Sequence, residues 1–306
     1  MKKMKMAPSF LFFIFLLVTE MSSSSSANSF VDGKYKTNLL TVGSSSSSPS
    51  PPKSLLVATP VDEGEYPVVM LLHGYLLENA FYSQLMLHVS SHGFIVIAPQ
   101  LYSFAGPDTT EEIKSTVEVM DWLSNGLKHF LPAQVTPNLS KFALSGHSRG
   151  GKTTFAVALR KFGYSSSLKI SALIGIDPVD GAGKGKQTPP PVLTYQPDSF
   201  DLDKMPVLVI GSGLGETGAN LFLPPCAPAG VNHRDFFQEC QAPAWHFVAK
   251  DYGHMDMLND DTGGMGRVLI FCVRMVNREY RSQELKFKKQ TFLFTTFNSL
   301  ENSLKN

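Results

Sequence analysis

One stretch of eight residues, Gly146-His-Ser-Arg-Gly-Gly-Lys-Thr153, constrains this chain more than any other. Before it runs an apolar strand pattern, residues 141–145; after it runs a helical one, residues 152–160. The stretch is therefore a tight strand-to-helix turn, and it fits two patterns. From Gly146 to Gly150 it is G-x-S-x-G, which lifts a serine hydroxyl to the tip of a strained turn. Small residues two before and two after the serine let strand and helix pass closely, and Gly146 and Gly150 meet that need. From Gly146 to Thr153 it is G-x-x-x-x-G-K-[ST], a loop whose backbone N–H groups wrap a phosphate. Local context does not separate the two.

The rest of the chain favours the serine. A phosphate loop normally follows the first strand of its domain, whereas here the apolar runs 67–72 and 93–98 come earlier. Ser148-Arg149 also stand where glycine would approach a phosphate more closely. Asp177 would serve a P-loop NTPase as its second carboxylate. That reading, however, leaves His73-Gly74-Tyr75 and Asp251-Tyr-Gly-His254 without a role. A nucleophilic serine uses both. Short apolar runs at 54–58, 67–72, 93–98, 141–145, 168–176, 205–211 and 244–248 alternate with helical patterns at 109–130, 152–162 and 264–280. This spacing predicts an α/β-hydrolase fold, a mostly parallel doubly wound sheet with helices on both faces.

In that fold Ser148 is the nucleophile and His254, in a post-strand loop, the general base. Among eight histidines, His254 alone combines such a loop with a flanking glycine; His88 and His92 share a helical face without an acidic partner. The acid stays open by pattern among Asp177, Glu216 and Asp180, since each follows an apolar run after the nucleophile. Backbone N–H groups of Tyr75 and Arg149 occupy the oxyanion-hole positions. Leu76, Leu77, Phe81, Tyr82, Leu221 and Phe222 are candidates to line an apolar cleft, or else to pack the core. Lys152, in the first turns of the elbow helix, is expected to be partly exposed.

At 306 residues the chain suits one catalytic domain with tails: a targeting segment at 1–30, a Ser/Pro-rich segment at 31–53, the domain at 54–281, and a tail at 282–306. Charge is balanced, with 27 basic and 26 acidic residues, which argues against a nucleic-acid partner. Residues 1–6 are basic and residues 10–18 apolar but too short to span a bilayer, with small residues at 22–28 for cleavage. That is a signal-peptide pattern and predicts the ER route to a vacuole or similar store; a serine-rich chloroplast transit peptide is the alternative. Asn138-Leu-Ser140 is the one sequon. Of three cysteines, Cys272 reads as a buried thiol, and Cys226 and Cys240 flank one loop that a disulfide would stabilise by about 3 kcal/mol.

Four segments in this order, 146–151 (GHSRGG), 72–75 (LHGY), 175–181 (GIDPVDG) and 251–256 (DYGHMD), resemble plant chlorophyllases over residues 55–280. The resemblance implies hydrolysis of the phytyl ester of chlorophyll to chlorophyllide and phytol, with no metal or organic cofactor. It carries the family's triad onto Ser148, Asp177 and His254. Chlorophyll is then the substrate, with peripheral contact to membranes and no obligate protein partner. A lipase or platelet-activating-factor-hydrolase-like esterase with the same triad is the other enzyme reading.

Overall fold

The computed structural model describes residues 31–45, 49–104, 106–218 and 224–260. Eight strands form one sheet: β1 (Thr37–Val42), β2 (Leu55–Pro60), β3 (Gly64–Leu72), β4 (Ile95–Pro99), β5 (Val135–His147), β6 (Ala172–Ile176), β7 (Val207–Ser212) and β8 (Ala244–Ala249). Their spatial order is β1-β2-β4-β3-β5-β6-β7-β8. β2 is antiparallel to both β1 and β4, and every later pair is parallel. The α/β-hydrolase fold expected from the alternation of strands and helices is the fold observed.

Strand residues alternate between two cores, as the period of two demands. Val68, Met70, Leu72, Phe142, Leu144, Val207 and Val209 point to one face. There they meet helices α2 (Thr110–Gly126) and α3 (Arg149–Ala158) and Phe236 of α4 (His233–Glu239). Val69, Leu71, Ala143, Ile174, Leu208 and Ile210 point to the other face, against α1 (Ser83–Ser91) and Met257 and Leu258. Strands β2, β4, β6 and β7 are buried along their whole length, which is why they read as unbroken apolar runs.

Four expectations need correction. The sheet begins before residue 54, because Thr37–Val42, within the Ser/Pro-rich segment, pairs as the edge strand β1. Its exposed positions hid it among polar neighbours. The stretch between the runs 205–211 and 244–248, for which no helical pattern is read, contains α4, started by a reciprocal capping box between Asn232 and Asp235. His88 does have an acidic neighbour, Asp32, at 3.2 Å, brought there by the chain before β1. Cys226 is in a disulfide, but not with Cys240, which is a free thiol buried between α4 and the sheet and pushed up to about 12 by that burial. The targeting segment 1–30, the expected helix 264–280, Cys272, the tail, and Leu221 and Phe222 lie outside the described residues.

The fifth correction concerns Lys152. It is fully buried, not exposed, and its Nζ lies 3.1 Å from Asp180 Oδ1 and donates to the Thr188 carbonyl. Asp180 Oδ2 accepts in addition from the Val192 and Leu193 N–H groups, each at 2.9 Å, and from Gln187 at 2.7 Å. One turn earlier Arg149 grips Glu112 of α2 through Nε and Nη2. Two ion pairs thus pin the first turns of α3, one to α2 and the other to the loop that carries Asp180. Lys152→Ala leaves Asp180 charged, buried and without its cation, so we expect a loss of about 3–5 kcal/mol of stability, measured by urea unfolding. Lys152→Met/Asp180→Asn should recover part of that loss. A single variant within about 1 kcal/mol of wild type would show the pair to be dispensable.

Candidate active site

The elbow is strained as its pattern requires. Ser148 joins β5 to α3 with φ 56° and ψ −122°, a conformation that L-residues rarely adopt. A Cβ on Gly146 would lie 2.3 Å from the Gly150 carbonyl oxygen, and one on Gly150 would lie 2.5 Å from the carbonyl oxygens of Leu72 and His73. Only glycine lets β5, α3 and the end of β3 approach this closely. The turn is held by Ser148 N–H donating to the Ile176 carbonyl and by Val179 N–H donating to the Ser148 carbonyl, at 3.0 and 3.1 Å.

Three side chains separated by up to 106 residues meet at this tip. His254 Nε2 is 2.8 Å from Ser148 Oγ, and His254 Nδ1 is 2.7 Å from Asp177 Oδ2. Each arrives from the carboxyl end of a strand: Ser148 after β5, Asp177 after β6, and His254 in the loop after β8. Asp177 Oδ2 also accepts from the Ser212 hydroxyl, and Oδ1 accepts from Ser212 N–H at 3.2 Å. Burial alone would raise the Asp177 pKa, but the donors from His254 and Ser212 outweigh it and hold the carboxyl below its ordinary value. Asp177 is therefore a carboxylate that accepts Nδ1–H, leaving the Nε2 lone pair facing the serine hydroxyl. That arrangement can deprotonate Ser148 and stabilise the imidazolium which results.

The other two acids left open by the sequence lie elsewhere. Glu216 Oε1 accepts from Asn232 Nδ2 at 2.9 Å and lies 3.3 Å from Arg234 Nε, while Asp180 pairs with Lys152. Among the described residues neither the Tyr75 nor the Arg149 N–H has a protein acceptor, and Arg149 opens the helix, where such N–H groups have no intrahelical partner.

Of the cleft candidates, Leu77, Phe81 and Tyr82 pack into the α1-side core and are buried, whereas Leu76 is 47% exposed with φ 55°. Tyr82 is more specific than a core residue. Its hydroxyl accepts from Gly74 N–H at 3.0 Å and lies 2.8 Å from His147 Nδ1. His147 Nε2 in turn faces the His254 carbonyl at 3.0 Å, so Nε2 carries the proton and Tyr82 donates to Nδ1. Burial and the neighbouring His254 hold His147 neutral, well below its ordinary pKa. Sequence reasoning missed Ser212 as part of the site and took Tyr82 only as a cleft or core residue, not as a hydrogen-bonding partner of Gly74 and His147. For Ser212 a signal existed: β7 neighbours β6, so the residue closing β7 falls beside the one that follows β6.

Comparisons with known proteins agree with this geometry. The chlorophyllase family profile matches residues 25–290. The chain is 76% identical over 271 residues to Chlorophyllase-2 of Arabidopsis thaliana, covering 85% of each chain. It is 46% identical over 244 residues to Chlorophyllase-1 of the same plant, covering 78% of this chain and 74% of that one. Identity is also 46%, over 235 residues, to Chlorophyllase-1, chloroplastic, of Citrus unshiu, covering 76% of this chain and 68% of that one. The phosphate-loop reading of Gly146–Thr153 falls, since Lys152 is spent on Asp180 and the family match spans the motif. With its fold, its strained serine turn and a match across most of its length, the chain belongs to the chlorophyllase family of carboxylic ester hydrolases.

Proposed function

We propose that this protein hydrolyses the phytyl ester of chlorophyll, with Ser148 as nucleophile, His254 as general base and then acid, and Asp177 as the group that orients the histidine. The observation that carries the proposal is the unbroken run from Ser148 Oγ through His254 to Asp177, at 2.8 and 2.7 Å, on a strained elbow. Ser148 Oγ attacks the ester carbonyl carbon while His254 Nε2 takes the hydroxyl proton. The resulting oxyanion accepts from the Tyr75 and Arg149 N–H groups at the positive end of α3. As the tetrahedral species collapses, the carbon–oxygen bond to phytol breaks and His254 returns its proton to that oxygen. Water then attacks the acyl-enzyme, giving its proton to His254, and as the bond to Ser148 Oγ breaks His254 returns that proton to the serine oxygen and chlorophyllide is released. Exposed apolar surface at the oxyanion turn, with Tyr75 52% and Leu76 47% exposed, fits a long isoprenoid alcohol.

For the targeting of the chain, the basic and apolar N-terminus supports entry to the ER, and the family match starts only at residue 25. Relatives named chloroplastic, from two Citrus species, support the plastid instead. We keep the secretory route, in which the mature enzyme is stored away from its substrate. The mature N-terminus then falls within about residues 22–28 and Asn138 carries sugar. Unglycosylated protein recovered from washed, intact chloroplasts would transfer the choice to the plastid.

The reaction is tested by phytol release from purified chlorophyll. Ser148→Ala should abolish turnover, and Asp177→Asn should lower kcat by about 10³–10⁴, because the amide cannot hold the same imidazole tautomer. Glu216→Gln should leave kcat within about twofold of wild type, since that carboxylate serves Asn232 and Arg234. Loss of activity in Glu216→Gln with retention in Asp177→Asn would reverse the assignment of the acid. Turnover of short acyl esters but not of chlorophyll would favour the lipase-like reading.

A further inference from the structure

We propose that Tyr102 and His73 are positioning residues that aim the Tyr75 N–H at the oxyanion by clamping the Gly74 carbonyl. The inference rests on the hydrolytic reading above and adds what holds its oxyanion donor in place. Three donors converge on Gly74 O: His73 Nδ1 at 2.9 Å, the Tyr102 hydroxyl at 3.1 Å and Leu77 N–H at 3.2 Å. Gly74 O and Tyr75 N–H belong to one planar trans peptide and point to opposite sides of it. Fixing the oxygen therefore fixes the direction of the N–H. Donors on the oxygen also polarise the amide, which strengthens its N–H as a donor.

The roles of the clamping groups are set by their other partners. His73 Nε2 accepts from Leu101 N–H at 3.0 Å, so the single proton of the neutral ring is on Nδ1 and donates to Gly74 O. Burial keeps that ring neutral, at a pKa of about 4. Tyr102 donates to Gly74 O, so its hydroxyl ties the loop after β4 to the peptide that precedes Tyr75. The turn it holds is strained, since Leu76 has φ 55°. Gln100 laces the same two loops, with Nε2 donating to the Tyr102 and Leu77 carbonyls and Oε1 accepting from Asn79 N–H. The loop after β4 thereby serves as a template for the oxyanion turn after β3.

Tyr102→Phe removes one oxygen and keeps the ring that packs on His73 at 4.6 Å between centroids. Its kcat, counted per site by titration with a fluorophosphonate, should fall at least about tenfold, with KM within about twofold of wild type. Affinity for a trifluoromethyl ketone ester mimic, whose tetrahedral adduct bears the oxyanion, should weaken by the same factor. A purely structural role would lower the melting temperature and the count of titratable sites while leaving kcat per site and inhibitor affinity alone. Wild-type kcat per site in Tyr102→Phe would overturn the proposal, as would a loss of kcat with unchanged inhibitor affinity. Ser148→Ala assayed alongside separates the two layers. Residual turnover there would sink the hydrolytic reading itself, whereas an inactive Ser148→Ala beside an unaffected Tyr102→Phe would sink only the clamp.

Discussion

A single left-handed residue organises the working end of this sheet. Ser148 at φ 56° turns β5 into α3 so sharply that the helix start lies against the ends of β3 and β6. Such a conformation costs about 1–3 kcal/mol and persists only where its surroundings over-determine it. Here the surroundings do so. Arg149 and Lys152, within the first turn after the serine, each carry a buried ion pair, and the elbow peptides bond to Ile176 and Val179. The strain places the hydroxyl in front of the helix N-terminus and leaves it nothing to do but meet His254.

Much of this was legible because the chain states it locally. Unbroken apolar runs gave the parallel strands, and the G-x-S-x-G spacing gave the elbow. A histidine in the loop after the last strand pattern gave the candidate base, and it lies 2.8 Å from Ser148 Oγ. The acid was open by pattern because Asp177 and Glu216 follow consecutive strands. Register separates them: Ile176 pairs with Ile210, so Asp177, immediately past β6, faces His254, while Glu216, four residues past β7, has already turned toward Asn232. The family resemblance had pointed to the same aspartate.

What stayed hidden was long-range or against local habit. Lysine in a helix reads as a surface residue, and nothing near Lys152 in sequence announces that Asp180 and the Thr188 carbonyl will enclose it. Tyr82 reads as an apolar cleft or core residue, yet its hydroxyl links Gly74 to His147, 65 residues away from it. Strand β1 was lost because its exposed face gives it the polarity of a loop. In each case the deciding partner is distant in the chain, and the residue type alone favours the blander reading.

The parts of the relay rest on unequal foundations. Ser148 follows the enclosed second half of β5 and Asp177 the fully buried β6, both at the centre of the sheet, whereas His254 follows β8, an edge strand of the described sheet, which is partly exposed along its length. Peripheral elements open at lower free energy than central ones. On warming, His254 should therefore drift from Ser148 while Ser148 and Asp177 are still in register, so that the proposed relay has a melting curve of its own, lying below that of the sheet.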